Sequence, residues 1–136
     1  MIELQRKISF SCAHFYRQPM WTEELNQKTF GKCFSRFGHG HDYLLEVRIR
    51  TTAEDFTHDE ANLIQALQAI QEFLDHKHLN FEITAFFENQ RPVKIPTTEN
   101  FCLFIYEELS KFGGLKIRNL RLYERPDLFV EILLAV

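Results

Sequence analysis

The segment from Tyr43 to Arg50 alternates without a break, with Tyr43, Leu45, Val47 and Ile49 on one face and Leu44, Glu46, Arg48 and Arg50 on the other. A period of two fits a strand with one covered face and does not fit a helix. A strand of that kind needs neighbours, and the chain supplies them. Ile2, Leu4, Ile8 and Phe10 repeat the alternation, interrupted by Arg6, and predict a strand that ends near Ser11 and runs into His14. Lys116 to Glu124 and Leu128 to Val136 are β-rich runs separated by the turn-like Arg125-Pro126-Asp127, which predicts a hairpin.

Two helices lie between these pairs. From Ala61 to Leu74, the residues Leu63, Leu67, Ile70 and Leu74 form one apolar stripe. Phe101, Ile105, Leu109 and Phe112 form a second, after Thr97 and Thr98, either of which can cap the helix, with Glu99 suited to its positive end. Pro96 and Gly113-Gly114 mark its limits. The order strand, strand, helix, helix, strand, strand predicts an α+β fold, a four-stranded antiparallel sheet with both helices on one face. At 136 residues the chain suits a single domain, 1–136. Four strands do not close on themselves, so two edges call for a second copy, and 14 phenylalanines leave rings that self-association would cover.

A formal net charge of -3, without a Lys/Arg cluster, gives no general electrostatic reason to bind nucleic acid or an anionic membrane. Hydrophobic and charged fractions of 45% and 26% are those of a globular protein and predict neither disorder nor a membrane span. The N-terminus lacks the apolar run of a secretory leader. Cys12, Cys33 and Cys102 form no CxxC pair, which argues against a disulfide framework or a four-cysteine zinc site and for a reduced, cytoplasmic setting.

His39-Gly40-His41 sets two imidazoles on one side of a strand start, and its glycine leaves room for close approach of backbone or ligand. Such a pair alone is a weak metal signal. His14 strengthens it, because it follows the strand expected to pair with the one His41 enters. Three imidazoles with a fourth position free suit catalytic zinc, whereas a structural site wants four protein ligands. Cys33 lies in the loop between these strands, where a metal and Lys32 or Arg36 would favour its thiolate; an ordinary buried cysteine is the alternative. Asp75 and His76 close the first helix, where either the helix dipole or a general acid/base pair would explain them. Glu124 shares a face with Leu120 and Leu122, and its carboxylate would take a forked donor such as the 2-amino and ring N–H of a pterin, or pair with Arg125 at the rim.

Phe10-Ser11-Cys12-Ala13-His14, Phe30-Gly31-Lys32-Cys33 and His39-Gly40-His41-Asp42-Tyr43 together resemble the 6-pyruvoyltetrahydropterin synthase family. Leu74-Asp75-His76-Lys77-His78-Leu79-Asn80, Pro96-Thr97-Thr98-Glu99-Asn100 and Tyr123-Glu124 follow in the family's order and spacing, so the resemblance spans nearly the whole chain. It implies Zn2+ on His14, His39 and His41, with Cys33 as catalytic base beside Asp75 and His76. It also implies a pterin anchored by Glu124 with Thr97 and Thr98. The implied fold is the tunnelling fold, in which trimers close a twelve-stranded barrel and stack as a hexamer. The implied reaction is a carbon–oxygen lyase step that converts 7,8-dihydroneopterin triphosphate to 6-pyruvoyltetrahydropterin, eliminating triphosphate.

The five residues between Cys33 and His39 resemble the 6-pyruvoyl enzymes, where the 6-carboxy-5,6,7,8-tetrahydropterin synthases of queuosine (7-deazaguanine) biosynthesis usually have three. That activity and a non-catalytic pterin-binding module are the alternatives. The chain departs from the family at His58 to Leu63, entering the first helix, and at Phe34-Ser35-Arg36-Phe37, which is bulkier and less polar than usual. Neither change touches an expected ligand.

Overall fold

Strands β1 (Ile2–His14) and β2 (His39–Thr51) pair antiparallel along their whole length, from Ile2 opposite Thr51 to His14 opposite His39. The computed structural model describes residues 1–89 and 91–135. The chain continues through α1 (Glu23–Phe30), which precedes β2, then α2 (Phe56–Leu74), β3 (Lys77–His78), α3 (Leu79–Glu82), β4 (Phe87–Glu88), β5 (Arg91–Pro92), α4 (Thr98–Ser110), β6 (Ile117–Arg125) and β7 (Leu128–Leu133). The main sheet has the order β3-β1-β2-β6-β7, and β4 and β5 form a separate two-stranded ribbon.

The four long strands are antiparallel neighbours, as the sequence predicts. A short fifth strand joins them: β3 pairs parallel with β1 at Cys12 and Ala13. The final strand stops at Leu133 rather than Val136, and Val136 lies outside the described residues.

The periodicities become the core. Tyr43, Leu45, Val47 and Ile49 from β2 and Leu120 and Leu122 from β6 are buried against Leu63, Leu67, Ile70 and Leu74 of α2 and Phe101, Ile105 and Leu109 of α4. Thr97 is the cap of α4, its hydroxyl accepting from the Asn100 N–H at 3.3 Å. Helix α2 begins five residues before Ala61. Its first turn carries no apolar stripe and is held instead by polar contacts, with the Thr51 hydroxyl donating to Asp59 at 2.6 Å. Such contacts leave no periodic trace.

The segment from Arg17 to Phe37 holds two elements that periodicity does not predict, α1 and a 3-10 turn over Gly31–Cys33. Thr22 caps α1 by accepting from the Leu25 N–H, and its buried residue is Asn26, whose amide donates to the carbonyls of Gln18 and Thr22 and accepts from the Gln18 N–H. A helix anchored by a buried amide has no stripe to read. The outer edge of β7, and that of β1 except at Cys12 and Ala13, meets no strand among the described residues.

Candidate active site

Residues directly opposite in an antiparallel pair share a face. The β1–β2 register sets His14 opposite His39 and Cys12 opposite His41, so the three imidazoles lie together on the core-facing side at one end of the sheet. Ring centroids are 4.9 Å apart for His14 and His39, 5.0 Å for His14 and His41, and 4.8 Å for His39 and His41. One ligand nitrogen from each lies within 4.8 Å of the others, a group that could hold a metal ion.

The side chains suit that use. His14 is fully buried, its Nδ1 2.9 Å from the buried Tyr43 hydroxyl. Its Nε2 and that of His41 are buried and make no well-aligned hydrogen bond, and a buried polar atom is costly unless something meets it. Glu124 Oε1 lies 3.0 Å from His41 Nε2 and 3.4 Å from His14 Nε2. The His14 contact is not an ion pair with a charged imidazole, because burial first, then the neighbouring imidazoles, push His14 down to about 3. Burial also lowers His41 despite the opposing pull of Glu124. Neutral imidazoles are the ligand form.

His39 and His41 open on a cavity of about 750 Å³ whose walls also include Tyr16, Cys33, Thr98 and Glu124. Glu124 follows Leu120 and Leu122 on the inward face of β6 and is buried, as its spacing predicts. Its Oε2 accepts from the Thr98 hydroxyl at 2.9 Å, in the first turn of α4, and Oε1 faces the histidines. Thr97 also lines the cavity. Cys33, half-buried, ends the 3-10 turn that aims it inward.

The electrostatics at Cys33 differ from the sequence expectation. Burial first and Glu124 second raise the thiol above its ordinary value, and the cation that opposes them is Arg125, not Lys32 or Arg36. The chain's own charges therefore do not make it a thiolate.

Asp75 and His76 do not line this cavity. They sit against β1, where Asp75 accepts from the Ser11 N–H at 2.8 Å and the His76 N–H donates to the Ser11 carbonyl at 2.6 Å. That clamp holds His76 at φ 65°, with its ring Nδ1 3.0 Å from Asp75 and 83% of its side chain exposed. The Ser11 N–H first, then His76, lower the Asp75 carboxyl.

Tyr16 is a site residue that the sequence reading omitted. Its ring lies 4.8 Å from that of His14, and burial above all, then Glu124, keeps its phenol protonated. Its spacing of two from His14 was the available signal. The glycine that the site requires is Gly38, not Gly40. At φ 88° a Cβ on Gly38 would fall 2.4 Å from the His14 carbonyl, whereas one on Gly40 would make an ordinary contact. His78 fixes the same loop, with Nε2 3.0 Å from the Phe37 carbonyl.

Residues 3–133 match the family model for 6-pyruvoyl tetrahydropterin synthase. A 6-pyruvoyl tetrahydrobiopterin synthase of Pongo abelii is 33% identical over 130 residues, covering 92% of this chain and 86% of that protein. A putative 6-carboxy-5,6,7,8-tetrahydropterin synthase of Archaeoglobus fulgidus is 31% identical over 97 residues, covering 69% and 74%. The solved 6-pyruvoyl tetrahydropterin synthase of Caenorhabditis elegans superposes with a TM-score of 0.85 at 24% identity over 98% of this chain and 96% of that one, a likeness of fold.

Proposed function

Because the chain belongs to the 6-pyruvoyl tetrahydropterin synthase family, we propose that it is a zinc-dependent lyase converting 7,8-dihydroneopterin triphosphate to 6-pyruvoyltetrahydropterin with elimination of triphosphate. The observation that carries this reading is the grouping of His14 with His39 and His41, the last two sharing one cavity with Cys33 and Glu124. His14, His39 and His41 would hold the ion, the unpaired Nε2 atoms of His14 and His41 turned toward it. When bound, zinc supplies positive charge that acidifies the substrate's side-chain hydroxyls and draws Cys33 toward its thiolate.

The remaining roles fall to the chain's own groups. Glu124 takes the pterin's 2-amino and ring N–H as a forked donor, oriented by the Thr98 hydroxyl. Thr97 fixes that end by capping α4. Cys33 removes a proton from the substrate side chain, which projects from the ring toward the histidines. Asp75 and His76 complete proton transfer from a second copy. The cavity that holds Cys33 is lined by Leu128 and Val130 of β7, whose outer edge meets no strand among the described residues, and Asp75 and His76 flank the open edge of β1. Joining β1 of one copy to β7 of the next delivers the pair to its neighbour's Cys33, and three such joins close a ring.

Five residues between Cys33 and His39 favour 6-pyruvoyl over 6-carboxy chemistry, and a thiol on the cavity wall argues against a module that only binds. Incubation with 7,8-dihydroneopterin triphosphate tests the assignment by product. Release of triphosphate with a 6-pyruvoyl product supports it. A 6-carboxy product, with the two outer side-chain carbons released as acetaldehyde beside triphosphate, supports the second activity, and an unchanged bound pterin overturns both.

A further inference from the structure

Beside the metal-ligand cavity lies a second one of about 330 Å³, walled by Phe15, Arg17, Glu23, Phe34, Ser35 and Arg36. Ser35 belongs to both cavities, and its hydroxyl is buried without a hydrogen-bond partner. We infer that Arg17, Ser35 and Arg36 form the subsite for the phosphate chain of the substrate, a further inference that rests on the pterin triphosphate reading.

Two guanidinium groups stand at this cavity with little to neutralise them. The Arg17 guanidinium lies over the Phe34 ring at 5.7 Å and that of Arg36 over the Phe37 ring at 5.0 Å. A guanidinium resting its face on an aromatic ring keeps its N–H edge free for an acceptor. The carboxylate on the same wall is Glu23, 4.0 Å from Arg17 and 81% exposed, a pair of little strength in water. Arg36 forms no ion pair among the described residues. An anion there would meet two forked donors, with the Ser35 hydroxyl as a third. A single negative charge would leave one arginine uncompensated, whereas a polyphosphate matches both.

The order of groups agrees. Glu124 lies 3.0 Å from His41 in the cavity that also holds His39 and Cys33, Ser35 is common to both cavities, and Arg17 and Arg36 line the second. The substrate runs from pterin ring through hydroxylated side chain to phosphate. The bulky Phe34-Ser35-Arg36-Phe37 stretch is thereby explained: its two rings carry the arginines and its serine joins the two cavities.

Isothermal titration of zinc-loaded protein with inorganic tripolyphosphate, and separately with unphosphorylated 7,8-dihydroneopterin, tests the subsite. Replacing both arginines (Arg17→Ala with Arg36→Ala) should weaken tripolyphosphate binding roughly 10- to 100-fold or more, leaving dihydroneopterin binding unchanged. Phosphate–zinc contact is common to both proteins, so the difference reads the arginines. Binding should also weaken as salt is raised. Equal tripolyphosphate affinity in the two proteins, or none in the wild type, overturns the subsite. If tripolyphosphate behaves as expected but dihydroneopterin fails to bind, the subsite stands and the pterin reading falls.

Discussion

The Nδ1 of His14 and the hydroxyl of Tyr43 lie 2.9 Å apart, both within the core. This contact fixes the ring of a buried imidazole whose other nitrogen is unpaired. A partner on the remote nitrogen sets the orientation and tautomer of a metal-binding histidine, and its loss typically costs about 10- to 100-fold in metal affinity. Tyr43→Phe should therefore weaken zinc binding by about that factor and destabilise the metal-free chain by about 1–3 kcal/mol, the cost of an orphaned buried group. Competition with a chromogenic chelator measures the first effect and urea unfolding the second. Unchanged zinc affinity would deny Tyr43 this role.

The titration of His14 predicts a pH dependence in the metal-free protein. Its folded value of about 3 lies below the ordinary 6.5. Between the two, the unfolded chain binds more protons than the folded one, so stability rises with pH. The metal-free chain should be most stable above pH about 6.5 and lose at most ~1.4 kcal/mol per pH unit from this residue as pH falls toward 3. Melting temperatures at pH 7 and pH 5 check the sign, and His14→Asn should flatten the slope. A melting temperature that holds or rises toward pH 5 would contradict the burial argument.

Cys33→Ala should reduce turnover by roughly 100- to 10,000-fold, the loss of one general base, with zinc content unchanged because no ligand is removed. His76→Ala should do likewise. Since Asp75 and His76 lie outside the cavity that contains Cys33, the two inactive variants, unfolded together and reassembled, should recover part of the wild-type rate through subunit boundaries pairing an intact Cys33 with an intact His76. Absence of recovery in mixed oligomers verified by mass spectrometry would place the pair outside the reaction.

Glu124→Gln keeps the shape of the side chain and the contact with Thr98 but removes the charge and replaces an acceptor oxygen with a donor. Pterin binding should weaken by about 10- to 100-fold, the loss of a charge-assisted pair of hydrogen bonds, while zinc content is retained. Fluorescence titration with a pterin reads this directly. Equal affinity would mean that the ring is held elsewhere.

The long strands and the stripes of α2 and α4 were legible because each buries a regular apolar face, and the spacing of Leu120, Leu122 and Glu124 gave the burial of that carboxylate. The three histidines were legible as a group because the β1–β2 pairing follows from the two alternations. Helix α1 was not, because Asn26 anchors it through backbone carbonyls, and the first turn of α2 was not, because Thr51 and Asp59 hold it. Gly38 stood in the sequence beside an equally plausible Gly40, and only its positive φ and the nearness of the His14 carbonyl distinguish them. The balance at Cys33 depends on Glu124 and Arg125, which lie more than ninety residues away in the chain, so Lys32 and Arg36, its neighbours in sequence, were misleading.

The central claim is that His14, His39 and His41 form a zinc centre. Elemental analysis of protein purified without chelator tests it most directly, beside the paired variant His39→Ala with His41→Ala. The account predicts about one zinc per chain in the wild type, as three imidazoles with an open position require, and close to none in the variant. A wild-type content near zero, or the same content in both proteins, would contradict it.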